Sequence, residues 1–158
     1  LLIGKTFGHL SQSTFFEEIY SILDGPPPDV NLLNEKSHGE AVLRLIKENF
    51  VDTVHDISSG GLIIALAEMT IGSNYGIKIE KPKKLTNMFE YFFGEDQGRY
   101  LLEIEKSKIE IVQKILKENN IFNEIVGITQ KDNFELPGEF KISINDLYKI
   151  NNKWYYNF

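Results

Sequence analysis

Apolar residues recur along the chain with two different spacings, and the alternation between them sets out the elements. Residues 1–3 read as a short strand. Ser13 then caps a helix whose Phe15, Phe16, Ile19 and Ile22 share one stripe, and Gly25-Pro26-Pro27-Pro28 stops it. Between 31 and 49 the positions Leu32, Leu33, Val42, Leu43, Leu45 and Ile46 predict one or two amphipathic helices, with Gly39 a weak point. A short β-rich run at 51–57 leads into a nearly all-apolar helix over 61–69, the pattern of a helix buried on most sides. The run 75–80 alternates Tyr, Ile, Ile with Gly, Lys, Glu, as a strand with one wet face does. A short helix at 83–92, a strand at 99–105 and a helix at 108–119 follow. In that last helix Ile109, Val112, Ile115 and Leu116 point inward. Strands at 124–129 and 140–144 and a helical turn from Asn145 complete the reading. Strands with a polar face favour an α+β fold, a mixed and mainly antiparallel sheet with helices packed mainly on one face, over a parallel sheet covered on both.

Composition narrows this picture. With 158 residues the chain is long enough for one domain with a substantial core, so 1–158 is expected to be a single domain. A net charge of −6 argues against general affinity for nucleic acid or an anionic membrane, both of which require a basic face. Any phosphate site must therefore be local. The chain has no cysteine, which excludes disulfides, zinc-thiolate sites and thiol nucleophiles and fits a reducing, cytoplasmic setting. No apolar run is long enough to span a membrane. Leu1-Leu2-Ile3-Gly4 looks like a strand cut open, as if the chain were part of something longer.

Two stretches carry candidate chemistry. The first, Val54-His55-Asp56-Ile57-Ser58-Ser59-Gly60-Gly61-Leu62, runs from a strand through two serines and two glycines into a buried helix. Glycines permit close backbone approach, hydroxyls donate, and a helix N-terminus offers free N–H groups to an anion. The plainer reading is a serine cap and a tight turn, and for an isolated strand-SSGG-helix it is the stronger one. His55 and Asp56 point to opposite faces of a strand, which disfavours a direct acid-base dyad. The second stretch is Gly94-Glu95-Asp96-Gln97-Gly98-Arg99, set between Phe92-Phe93 and Tyr100-Leu101-Leu102. Glu95 could hold Mg²⁺ or a ribose hydroxyl, Gln97 could donate and accept, and Arg99 could grip phosphate. Equally, Arg99 could pair with Glu95 or Asp96 in a turn. His9 and His38 have no metal-like spacing and read as solvated or capping residues; Lys81-Pro82-Lys83-Lys84 reads as a wet edge; Phe15-Phe16 and Tyr155-Tyr156 read as packing aromatics.

Taken together, HDISSGGLIIALAEM at 55–69 and FFGEDQGRYLLEI at 92–104 closely resemble the C-terminal AIR-synthase-type domain of the phosphoribosylformylglycinamidine synthases. The resemblance covers nearly the whole chain, including the Pro-rich turn, Val126-Gly127 and Trp154. It implies a part of a longer synthetase subunit in purine biosynthesis. There ATP, with Mg²⁺, activates the amide oxygen of formylglycinamide ribonucleotide, and glutamine-derived ammonia displaces the phosphate. It also implies other domains of the same subunit, a glutaminase and small accessory subunits as partners. The residues matching the family's nucleotide- or phosphate-binding motifs are His55, Asp56, Ser58, Gly60, Gly61, Glu95, Gln97 and Arg99. The family usually has Asp where Ser59 stands, and its LGGS loop appears here as Leu10-Ser11-Gln12-Ser13. The resemblance thus implies a copy whose site is auxiliary or vestigial, with no catalytic or metal-ligating residue of its own and no activity in isolation. The alternatives are a scaffold domain that binds no nucleotide, or a domain of another ATP-dependent AIR-synthase relative such as a selenophosphate synthetase. An apolar surface hidden in the full subunit is expected to be exposed, or covered by a homodimer.

Overall fold

Leu2–Ile3 (β1), Thr53–Asp56 (β2), Tyr100–Glu103 (β4) and Asn123–Glu124 (β5) form one four-stranded sheet in the order β2-β4-β1-β5, with every pair antiparallel. Gly76–Ile79 (β3), Gly127–Gln130 (β6), Asn133–Leu136 (β7) and Phe140–Ser143 (β8) form a second sheet in the order β6-β3-β7-β8, in which only β3 and β7 run parallel. The helices are Thr14–Tyr20 (α1), Leu32–Lys47 (α2), Gly61–Ser73 (α3), Met88–Phe93 (α4), Ile109–Glu118 (α5) and Ile144–Asn152 (α6). The structure, a computed structural model, describes residues 1–85, 87–153 and 155. Trp154 and Tyr156 lie outside the described residues, and Tyr155 is largely exposed. The fold is α+β, with two sheets where the sequence pattern predicts one.

Contacts divide the chain into two compact units, Leu1–Ala65 with Thr86–Ile125 and Leu66–Leu85 with Val126–Phe158. In the first unit, Ile3 of β1 and Leu102 of β4 share a sheet face with Tyr100 and Val54, and this face packs against Val42 and Leu45 of α2 and Val112, Ile115 and Leu116 of α5. Leu2 and Leu101 point the other way and are equally buried, so the central strands are covered on both faces. At α5 the periodicity holds for Val112, Ile115 and Leu116, while Ile109 is only half-buried. At α2 it holds for Val42 and Leu45 alone: Leu32, Leu33, Leu43 and Ile46 are exposed. The stripe on α1 is cut short because Ser21 turns left-handed at φ 56°, leaving Ile22 beyond the helix and Ile19 exposed. Phe15 instead stacks on Phe93 of α4, ring centroids 4.5 Å apart.

In the second unit Gly76 permits the close parallel approach of β3 and β7, since a Cβ there would lie 2.0 Å from the carbonyl oxygen of Asn133. A Pro137-Gly138 turn joins β7 to β8, closed by Glu139 N–H donating to Leu136 O at 3.0 Å. Phe134 and Phe140 stack across that pair at 5.5 Å.

Candidate functional site

Both candidate stretches lie in the first unit, and they meet. Strand β2 ends at Asp56, and the pairing with β4 is continued by Ile57 N–H donating to Arg99 O at 3.0 Å. The chain then turns through Ser58 and Ser59, both exposed, into α3, with Gly61 N–H bonded to Ser58 O at 3.1 Å. Gly60 and Gly61 have φ of 80° and 69°, a region that residues with a side chain adopt at a cost. Gly61 also lies directly against the end of α4: a Cβ would come within 2.7 Å of Gly94 O and 2.9 Å of Phe92 O. The double glycine is therefore required by conformation and by proximity to the second stretch.

That stretch holds the first unit's loops through three side chains. Glu95 Oε1 accepts from Gly60 N–H at 2.7 Å and from Thr14 N–H at 2.8 Å, joining the start of α3 to the start of α1. Asp96 is buried, and its carboxylate accepts from three successive backbone N–H groups, Phe7 (2.9 Å), Gly8 (3.0 Å) and His9 (3.3 Å). Successive amides turned to one point make an anion-binding concavity, and here the anion is the chain's own aspartate. Arg99 is 1% exposed. Its Nε donates to Asp96 O at 3.0 Å, one terminal nitrogen to Thr6 Oγ1 at 3.1 Å, and the other to Gly94 O. Burial pushes the guanidinium below its ordinary value, and the nearby Asp96, Tyr91 and Glu95 oppose that shift. His38 Nδ1 on α2 donates to Gly98 O at 2.7 Å and ties the same loop from the other side.

Of the two readings left open for Arg99, the turn in which it pairs with a neighbouring carboxylate is not the arrangement found: Arg99 bonds the carbonyls of Gly94 and Asp96 and the Thr6 hydroxyl, while both carboxylates face backbone amides. Gln97 is exposed, and its Nε2 donates to Glu95 O at 3.4 Å. Asp56 is exposed, and His55 Nδ1 bonds the main-chain oxygen of Asp56. His9 Nε2 bonds Pro26 O at 3.0 Å, a capping role like that of His38. Sequence reasoning gave Asp96 no role beyond a turn or ion pair and assigned none to Thr6 or Thr14. No sequence signal marked Asp96, because the three amides it accepts from belong to Phe7-Gly8-His9, far away along the chain. Among the described residues, no group of three or more His, Asp or Glu side chains could hold a metal ion, and no helix is long and apolar enough to cross a membrane.

Comparison with known proteins agrees with this architecture. Over 158 residues the chain is 45% identical to the phosphoribosylformylglycinamidine synthase subunit PurL of Pelagibacter ubique, covering all of this chain and 22% of that protein. Over 154 residues it is 36% identical to the PurL subunit of Rhodopseudomonas palustris (strain HaA2), covering 98% of this chain and 21% of that one. It therefore spans about a fifth of the length of these relatives. Among solved structures, phosphoribosylformylglycinamidine synthase II from Thermotoga maritima superimposes with a TM-score of 0.68 at 17% identity. The T. maritima PurL complexed with ATP gives 0.67 at 16%, and the PurLQS structure from the same organism 0.65 at 18%. Each covers 93% of this chain and 25% of the other, a likeness of fold. Residues 4–137 match the AIR synthase related protein, C-terminal domain, and with most of its length so matched the chain belongs to that family.

Proposed function

We propose that this chain serves as the C-terminal AIR-synthase-type part of a phosphoribosylformylglycinamidine synthase subunit. That enzyme would use ATP, Mg²⁺ and glutamine-derived ammonia to convert formylglycinamide ribonucleotide into the amidine in the cytoplasm. The observation that carries the reading is the 45% identity to a PurL subunit over the chain's whole length. Its partners would be the remaining domains of the same subunit, with a glutaminase and accessory subunits beyond them.

Within that enzyme the motif pair acts as a structural clamp. The residues do not fit a magnesium nucleotide: Glu95 and Asp96 already neutralise the backbone amides that would receive phosphate, and Arg99 is spent on carbonyl oxygens. Ser58, Ser59 and Gln97, which remain exposed, are neutral and supply no charge to balance a polyphosphate. No reaction step is assigned to this chain.

Two measurements test the reading. The chain alone, given formylglycinamide ribonucleotide, ATP, Mg²⁺ and ammonia, should form no product above background. Grafted in place of the matching segment of the P. ubique subunit, it should support turnover. Activity of the chain alone, or an inactive graft that folds, would overturn the assignment. Calorimetric titration with Mg²⁺ and ADP should give no saturable heat, and binding tighter than about 100 μM would replace the clamp with a nucleotide site.

A further inference from the structure

The chain has seven aspartates, and only Asp24 is followed by glycine; no asparagine is. Asp24 and Gly25 lie in the loop between α1 and α2, and both are exposed. Gly25 N–H donates to Oδ1 of Asp24 at 2.7 Å. The carboxyl carbon, one bond beyond that oxygen, is thereby brought to about the 3–3.5 Å from the nitrogen at which a near-attack pair stands. The loop holds this arrangement from the other side. Gly25 O accepts from the side-chain amide of Gln12, Pro26 O is bonded by His9 Nε2 at 3.0 Å, and Gly25 has a left-handed φ of 97°. Nitrogen and carboxyl are therefore kept together by fixed backbone and do not have to meet by chance.

We infer that Asp24-Gly25 is a site of self-modification, at which Asp24 cyclises to a succinimide and reopens in part as isoaspartate. Gly25 N forms a bond to Asp24 Cγ, its proton passes to solvent, and the Cγ–hydroxyl bond of the protonated acid breaks with loss of one water. A second water then adds to one of the two imide carbonyls. Addition at Cγ breaks the new bond and restores aspartate. Addition at the main-chain carbonyl carbon breaks the original peptide bond, so that the chain runs on through Cγ and the α-carboxylate is left free. One water leaves and one enters, and no oxidant, reductant or other reactant is needed. Ring closure is open here because glycine places no side chain beside the attacking nitrogen. At the other six aspartates the next residue is Val30, Thr53, Ile57, Gln97, Asn133 or Leu147, whose side chain crowds the ring. The inference stands whether or not the motif pair binds nucleotide or the proposed reaction is correct.

The folded 158-residue chain tests it, aged for several weeks at physiological temperature in mildly acidic buffer and then digested with trypsin. The tryptic peptide 6–36, which carries Asp24, should split into two chromatographic forms of equal mass, accompanied by a minor form lighter by one water. The new form of unchanged mass should resist the endoproteinase that cuts before aspartate at residue 24 and still be cut at Asp29. Conversion at Asp24 should be at least tenfold faster than at any other aspartate. Asp24→Glu, an exposed change that leaves the thermal midpoint in place, would have to close a six-membered ring and should show neither new form. Asp24→Asn should reach the same imide by expelling ammonia and give the same pair of products. An Asp24 that stays unconverted in the folded chain overturns the inference, whether or not the chain unfolded in urea converts. So does conversion spread evenly over all seven aspartates, or new forms that persist in the glutamate variant.

Discussion

Tyr91 shows how a single side chain in the first unit ties its environment to pH. Its hydroxyl donates to Glu124 Oε1 at 2.9 Å, and burial, followed by the charge and hydrogen bond of Glu124, raises the phenol above its ordinary value, with Arg99 acting in the opposite direction. The folded chain thus holds this proton more tightly than the unfolded chain, in which a tyrosine titrates near about pH 10. The resulting stabilisation is complete below that pH and is lost as pH rises above it. Tyr91→Phe should cost about 1 kcal/mol at neutral pH through the missing hydrogen bond. It should also make the alkaline fall in stability shallower, and urea melts of both proteins from pH 7 to 10.5 would show this. Parallel pH profiles would mean that Tyr91 is not linked to folding. None of this was legible from the sequence, because Glu124 is brought to Tyr91 by strand pairing between residues far apart in the chain.

At the scale of elements, local pattern predicted what local physics controls. Ser13 does cap α1, its Oγ accepting from Phe16 N–H at 3.3 Å, and α5 buries the face its periodicity indicates. The failures lie where the partner decides. The run 124–129 reads as one strand, yet Asn123–Glu124 pairs with β1 and Gly127–Gln130 with β3, in different sheets. Gly127 was the available warning, since a Cβ there would lie 2.7 Å from Lys78 O, and a glycine within an apparent strand often marks such a break. Strand β7 was missed because Asn133 to Leu136 is short and half polar, although Pro137-Gly138 after it is a recognisable turn signal. For the site, the two stretches were legible as candidates, while their meeting and the direction of their side chains were not: acids that suggest a metal or ribose turn out to face amides. The start of α3 gives the sharpest element-scale expectation. Gly61→Val combines a left-handed φ with contact against the backbone of α4, so it should cost about 3 kcal/mol or more. Gly60→Ala, which has a left-handed φ of its own and meets the stiff β-branched side chain of Ile64 at its Cβ and Cγ1 with no backbone in the way, should cost about 2–3 kcal/mol. Denaturant melts that match the parent for both would show that neither glycine is structurally required.

For the molecule as a whole, the family and the α+β class were legible from two motifs and an alternation of periods, whereas the division into two units was not, because it depends on which strands join which sheet. The amides that Asp96 binds lie 87 to 89 positions away in the chain, and Glu95 reaches Thr14 across 81. Joining segments so distant incurs the entropy of closing a long loop before the bonds return anything. The clamp should therefore form after the transition state for folding, and it then acts as a lock on escape and leaves the speed of arrival unchanged. Asp96→Ala removes a buried charged acceptor worth about 2 kcal/mol, which with no share in the transition state is about a thirtyfold faster unfolding rate and an unaltered refolding rate. Stopped-flow refolding slowed by a comparable factor would place the clamp early instead. On the expected result, the acids of this motif govern how long the folded chain lives, a kinetic persistence that selection can act on whether or not the motif meets a ligand.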